Sequence, residues 1–573
     1  EDYFFLYFLG FYGLLLVLKV DPLEAFIGSI AFGFSTYMII ILGVGHNAKA
    51  HAIAYMPLVI AGFILVFQKK YIRGGLLTMF AVALEISANH FQMTYYLLIF
   101  LLILSGYYAY NFIKEKDFKG LLISCGVLVV AGIFALGANA GNLMATNEYA
   151  KYSIRDKSEL TFNPDGSKNE TTASMTTDYI TEYSYGIAES LNLIAPRIFG
   201  GSSHENVGTD SRMYAFMLEQ GVPASQAQDF VSGMPTYWGD QPIVSAPAYI
   251  GAVVFFLAVL ALFIDERKIK YVFLTGALFT LVLSWGKNFS LLTDFFIEYV
   301  PLYDKFRAVS SIQVILELCF PVLAVMGLQA FFKAKDEPKL QQKALVQTGV
   351  FGLGVLVILL IAKSFFHFTG MNDNVYLESY GPGFVDALKE DRMTMYYADV
   401  LRSGFLIIVT FSVLWMFIKN RLSQTTTLIV IGIVMIFDLF FVDKKYVSAK
   451  DFVSPVQIAA PFQETQADAQ ILKDTSVYRV FDLQGQLQGR SSYFHKTIGG
   501  YSAVRPRRMQ QLYDYQIAKN NIEVLNMLNV KYVIQVDKDG NQIPGVNPDA
   551  NGNAWFVGAV KLVNKPDDVM KVL

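Results

Sequence analysis

Three groups of polar side chains stand where apolar runs begin or end, and each contains residue types that could do chemistry. His46, Asn47, Lys49 and His51 open one run, Glu85, Asn89, His90 and Gln92 join two others, and Arg307 precedes another. Polar groups within or at the end of a lipid-spanning helix are costly, so each is a candidate cavity liner, with interhelical hydrogen bonding as the ordinary alternative. His46 and His51 can be caps reaching headgroup water or ligands. Their five-residue spacing takes them off a common helical face, which argues against zinc, and no metal is expected. Glu85, four residues before Asn89 and five before His90, can be an acid/base group or a structural partner of Lys49 or His90. Glu317, one turn after Gln313 inside an apolar run, reads as an interhelical hydrogen bond, whereas Asp438 and Lys363, near run ends, read as snorkelling groups.

A second set lies in the polar stretch 178–240. It contains Asp178, Glu182-Tyr183-Ser184-Tyr185, Asn192, Pro196-Arg197-Ile198-Phe199-Gly200-Gly201 and Tyr237-Trp238-Gly239-Asp240. Tyr237 and Trp238 suit either a membrane interface or the face of a sugar. Arg197, beside a glycine pair, can meet a lipid phosphate or form a structural salt bridge.

The elements that must position these residues are set by composition. Of 573 residues, 54% are hydrophobic and only 16% charged, and mean hydropathy is +0.40. Too few charges exist to cover a water-soluble globule of this length, so a polytopic membrane protein is expected. Twelve apolar runs are long enough to cross a bilayer. Six lie in a first block over 1–138, near 3–20, 23–43, 50–67, 74–88, 92–112 and 119–138. Six lie in a second block over 247–442, near 247–264, 270–285, 308–331, 344–362, 401–418 and 425–442. The basic connections 68–73, 114–119, 267–270, 333–343 and 419–421 all fall on one side, which the positive-inside rule makes cytoplasmic. The loop region 139–246 and the tail 443–573 are then extracytoplasmic. The tail predicts an α+β domain, with strand-like runs at 476–481, 530–536 and 555–563 and a hairpin turn at Asp537-Lys538-Asp539-Gly540-Asn541. The acidic spacing of that turn does not fit a calcium loop.

Several classes are excluded or unsupported. A formal net charge of -2 without long basic runs gives no footprint for nucleic acid. Cys125 and Cys319 fall inside apolar runs and make no disulfide framework. Gly352-Leu353-Gly354 sits in an apolar run and reads as close helix packing, so no nucleotide loop is found. The sequons at Asn169-Glu170-Thr171 and Asn288-Phe289-Ser290 occur at the rate chance supplies. The chain begins Glu1-Asp2-Tyr3, with no basic leader, and reads as a fragment lacking its natural start.

Several ordered segments together resemble the YfhO-type bacterial membrane protein family. They are Gly45-His46-Asn47-Ala48-Lys49 running into Ala54-Tyr55-Met56-Pro57, Asn89-His90-Phe91-Gln92-Met93-Thr94-Tyr95-Tyr96, Leu191-Asn192-Leu193-Ile194-Ala195-Pro196 with Phe199-Gly200, and Tyr237-Trp238-Gly239. Lys305-Phe306-Arg307, Gly499-Gly500-Tyr501 and Leu525-Asn526-Met527-Leu528-Asn529-Val530-Lys531-Tyr532 extend the resemblance over nearly the whole chain. The resemblance implies a mainly α fold similar to the C-type glycosyltransferases. Those enzymes move a sugar from a polyprenyl-phosphate carrier to an envelope glycan, lipid or protein acceptor on the outer face of the bacterial inner membrane. They usually carry an acidic residue in the first outer loop, of which Glu1 and Asp2 would be the remnant. For that reaction Arg197, Arg307 and Lys49 would meet phosphate, Glu182, Asp240 or Glu85 would be the acid/base, Tyr237 and Trp238 would hold the sugar, and His46 and His90 would line the cavity. No cofactor is assigned. The alternatives are a flippase for lipid-linked glycans, for which broken helices and an internal repeat are the expected signature, and a noncatalytic envelope assembly protein.

Overall fold

The computed structural model describes residues 2–169, 175–487 and 489–573. Glu1, and the Glu170-Thr171 part of the first sequon, lie outside the described residues. All twelve apolar runs fall on helices. Among the described residues seven helices are long and apolar enough to cross a membrane, or nine if each of two bent pairs is one span. The runs near 3–20, 74–88 and 247–264 form helices of only 16, 17 and 13 residues. At about 1.5 Å per residue each of these is shorter than the ~30 Å hydrocarbon core. Ala252–Ile264 is almost wholly buried in protein, as a short core helix should be.

The chain divides into two compact units. The first comprises Glu1–Ala140, Ile180–Phe296 and Phe306–Asp451, so both helical blocks belong to it. At its centre is the helix Gln313–Lys333, of which only three of 21 residues are not buried. Gly327 explains how closely it packs. A Cβ there would come within 2.4 Å of the Leu257 carbonyl oxygen on Ala252–Ile264, an approach between helix backbones that only glycine permits. Phe118–Ala138 is the opposite case, with Leu122, Val129, Ile133 and Phe134 exposed. A helix that presents apolar side chains outward suits lipid as its surroundings.

Two pairs of apolar helices are bent at a break. Pro22–Gly33 and Thr36–Gly43 meet at 48°, and Lys270–Ser284 and Gly286–Tyr299 at 108°. At the first break the Thr36 amide donates to the Tyr249 carbonyl at 3.1 Å, so the freed backbone group is satisfied within protein. The helix Pro382–Ile418 has 37 residues, about 55 Å at the standard rise, and begins well before the apolar run at 401–418.

The second unit comprises Gly141–Tyr179, Ile297–Lys305 and Phe452–Leu573. The polar stretch 139–246 is thus divided, its first third belonging with the tail. Backbone bonds join these pieces: Ile154 donates to Arg505 at 3.0 Å and Arg507 to Tyr152 at 2.8 Å. Strand Arg479–Asp482 pairs parallel with Val530–Val536, which pairs antiparallel with Gln542–Val546. Val480 and Ile534 pack with Ile471 on one side, while Phe481 and Val530 join Ile498, Ile517 and Val524. The Asp537–Asn541 turn closes as expected, with Asp537 donating to the Asn541 carbonyl at 2.9 Å and Gly540 at φ +84°. The strand-like run 555–563 forms no strand. Gln542–Val546, tethered by that short turn, fills the edge of Val530–Val536 at a lower loop-closure cost, and Phe556 and Leu562 are left exposed.

Candidate functional site

Two backbone bonds hold the segment around Arg307 against the segment around Glu182. Ala308 donates to the Ile180 carbonyl at 3.1 Å and Ser310 to that of Tyr183 at 3.0 Å. Ala308 takes φ +59°, a conformation unusual for a residue with a Cβ, and this turn sends Arg307 toward Glu182. Their guanidinium and carboxylate lie 3.5 Å apart with the pair partly exposed, and the guanidinium stands 5.8 Å from the centre of the Tyr183 ring. Gln92 fixes the backbone beneath, donating to the Arg307 carbonyl at 2.7 Å and to the Tyr96 hydroxyl at 2.8 Å. Lys49 donates to Ser311 at 2.9 Å and lies 5.2 Å from the Tyr37 ring centre.

His90 belongs to the same cluster. Burial, then the nearby Lys49 ammonium and His46, push its pKa down to about 4, so it is neutral at physiological pH. His46 is lowered by burial and by Lys49 in the same way. His51 is engaged elsewhere, stacked on Tyr3 at 4.7 Å with its Nε2 3.2 Å from the Tyr55 hydroxyl. Glu85 is buried beside Thr94, with Oε1 lacking a hydrogen-bond partner. Among the described residues no ion pair joins it to Lys49 or His90. Lys49, His46, His90, Glu182 and Arg307 therefore form one polar cluster, flanked by aromatic rings and holding one accessible carboxylate.

The other candidates gather around the 186–201 loop. Arg197 is gripped by Asp399, with bonds of 2.8 Å from Nε and 2.9 Å from Nη2, and Glu205 lies 3.7 Å from Nη1. This is the structural salt bridge of the sequence reading, and it leaves Arg197 as a positioning residue. Trp238 stacks on Phe199 at 4.3 Å and packs on Phe366 and Phe368, so its ring faces are used by the core. Gly200 makes that approach feasible, since a Cβ there would lie 2.1 Å from the Thr236 carbonyl oxygen. Asp240 is exposed, with Oδ2 accepting from Asn288 at 3.2 Å. Tyr237 lines a cavity of about 180 Å³ with Gln241, His204, Asn372, Asp373 and Arg392.

Behind Tyr237 is a carboxylate that the sequence reading missed. Glu189 accepts from the Tyr237 hydroxyl at 2.7 Å, from Gln241 Nε2 at 3.3 Å and from the Gly186 amide at 3.0 Å. Burial nevertheless pushes its pKa up to about 7, with the Asp240 charge adding to the rise. The folded protein thus holds this proton more tightly than the unfolded chain. The contribution of Glu189 to stability is expected to be greatest below pH ~4.5, to fall by about 3 kcal/mol as pH rises toward 7, and to level off above. Glu189→Gln should flatten that part of the stability–pH curve; thermal melts from pH 4.5 to 8 read it, and an unchanged slope would refute the assignment.

Two further carboxylates differ from their sequence reading or satisfy it. Asp438 does not snorkel: it is fully buried, accepting from the Tyr249 hydroxyl at 2.6 Å and the Val253 amide at 3.1 Å and pairing with Arg402 at 3.0 Å. Glu317 accepts a hydrogen bond from Ser35, which lies at the break between Pro22–Gly33 and Thr36–Gly43 rather than within a helix. Lys363 sits 4.0 Å over the Tyr397 ring. Among the described residues no three His, Cys, Asp or Glu side chains gather as a metal site. Family models, curated proteins and solved structures all lack a match to this chain.

Proposed function

We propose that the protein is a membrane glycosyltransferase of the YfhO type, moving a sugar from a polyprenyl-phosphate carrier to a cell-envelope acceptor on the outer face of the bacterial inner membrane. The observation that carries this reading is the Glu182–Arg307 pair with Lys49 and Gln92 at the ends of apolar helices. Two cations there suit a lipid phosphate, a partly exposed carboxylate suits an acceptor hydroxyl, and Tyr183 beside Arg307 offers an aromatic face. In this reading the short helices 2–17, 71–87 and 252–264 complete twelve crossings, and the basic connections face the cytoplasm.

The chemistry assigns one role to each group. Glu182 takes the proton of the acceptor hydroxyl as its oxygen bonds to the sugar's anomeric carbon. The bond from that carbon to the carrier phosphate breaks, and the electron pair leaves with the polyprenyl phosphate, whose charge Arg307 and Lys49 neutralise. Neutral His46 and His90 line the same cluster, and Tyr237, at its own cavity, is the second aromatic candidate for a sugar. A flippase for lipid-linked glycans is the second reading, favoured by the two bent helix pairs and by Glu317 bonded to Ser35 at one break.

The test is sugar transfer by the protein reconstituted in lipid with labelled polyprenyl-phosphate sugars and envelope acceptors. Transfer is expected, lost in Glu182→Gln and retained in Asp240→Asn. Movement of labelled lipid between leaflets without transfer would replace this reading by the flippase, and neither activity would leave a noncatalytic assembly role.

A further inference from the structure

The break between Pro22–Gly33 and Thr36–Gly43 collects buried oxygen atoms, several of them without a hydrogen-bond partner among the described residues. Ser35, fully buried at the break, donates to one oxygen of Glu317, whose Oε1 has no partner. Thr36, next in the chain and also fully buried, sets its hydroxyl beside Asp443. Both Asp443 oxygens are buried without a hydrogen-bond partner, and the Asp443 and Glu317 carboxylates are close enough to repel each other. Each carboxylate comes from a different apolar helix, Gln313–Lys333 and Gln424–Tyr446.

Among the described residues no basic group pairs with them. Arg402 is committed to Asp438, and Lys49 to Ser311. An unpaired buried carboxylate is among the costliest groups a core can hold, and two in mutual reach cannot both stay charged without a cation. A bound cation is the alternative to each carboxyl taking a proton of its own, and sharing one proton leaves a single negative charge. The break adds to it, because the C-terminal end of the 12-residue helix Pro22–Gly33 carries the negative end of that helix's dipole. Carboxylate and hydroxyl oxygens at an unwound turn are the donor set of a hard monovalent ion. Calcium takes about six to eight oxygens, and with one Glu317 oxygen already accepting from Ser35 the break offers three free carboxylate oxygens and two hydroxyls.

We propose that Glu317 and Asp443, with the Ser35 and Thr36 hydroxyls, bind a monovalent cation, sodium, at the break in the second membrane segment. Tyr37 lies beside Ser311 and within electrostatic reach of Glu317, which puts the ion site near the Lys49–Arg307 cluster. The proposal stands independently of sugar transfer, since it concerns an ion bound by the resting protein.

The test uses the full chain purified in detergent. Its melting temperature is followed as sodium chloride replaces N-methylglucamine chloride at constant ionic strength, and equilibrium binding of radioactive sodium is measured in parallel. A saturable, sodium-dependent rise is expected, with one displaceable ion per chain and loss of both signals in Glu317→Gln and in Asp443→Asn. Should either variant fail to fold, Ser35→Ala and Thr36→Val probe the same site, and each should weaken the apparent sodium affinity by about tenfold or more. The proposal is overturned if sodium neither binds nor shifts the melt, if N-methylglucamine gives the same shift, or if the response survives in the variants that fold.

Discussion

Arg392→Met is expected to destabilise the helical unit by about 3–5 kcal/mol, enough to abolish recovery of folded protein in detergent. Arg392 is the largest fully buried side chain, and all its hydrogen-bonding capacity is used. Nη1 and Nη2 reach the two oxygens of Asp373 at 2.6 and 2.9 Å, while further bonds run to the carbonyls of Thr236 at 3.0 Å, Phe368 at 2.8 Å and Pro235 at 3.1 Å. A single planar fork thus joins the helix Pro382–Ile418 to two loops and to the wall of the Tyr237 cavity. Removing it strands the Asp373 carboxylate and several carbonyls in a buried place, and the stranded charge dominates the cost. Lysine would not replace it, because a point charge cannot satisfy a bidentate carboxylate and three separated carbonyls together. The double variant Arg392→Met/Asp373→Asn should recover part of the loss, since it leaves no unpaired charge. Melting temperatures of the four proteins measure this, and strict additivity of the two single effects would contradict it.

The reach of sequence reasoning follows from the range of each interaction. Lipid-facing runs announce themselves locally, so every apolar run lies on a helix; whether each spans the bilayer depends on where the helix starts and stops. The break at Ser35 is invisible in hydropathy because it is held by a tertiary bond from Thr36 to Tyr249. The first half of Pro382–Ile418 is polar and escaped a search for apolar runs. Its buried residues Phe384, Leu388, Asp391, Arg392, Met395 and Asp399 nevertheless recur at helical spacing, a signal that could have exposed both ion pairs. Arg197 could be suspected of a salt bridge but not assigned a partner, which stands 202 residues away. Glu189 gave no signal at all: it is a lone acid in a polar stretch, and only the fold places it behind Tyr237. His46, Lys49, His90 and Arg307 were legible because each marks the end of an apolar run, where polar residues must be explained.

For the proposed sugar transfer the largest effect should come from the Glu182–Arg307 pair. Arg307→Met is expected to lower the rate of transfer by roughly 10²–10³-fold, the usual loss when one preorganised group facing developing charge is removed. Glu182→Gln should fall comparably, through loss of the base. A merely structural ion pair predicts something different. At 3.5 Å and partly exposed, the pair stabilises the fold by about 1 kcal/mol at most, so neither single variant should unfold the protein. The exchanged protein, Glu182→Arg with Arg307→Glu, separates the two roles. Charge pairing survives the exchange, and so should the melting temperature. The base, however, would stand where the phosphate must lie, and the guanidinium where the hydroxyl must lose its proton. Transfer should therefore remain as low as in the single variants. Recovery of transfer in the exchanged protein would show that only the attraction matters, and would remove both residues from the chemistry while leaving Lys49 and the neutral histidines as the remaining candidates of that cluster.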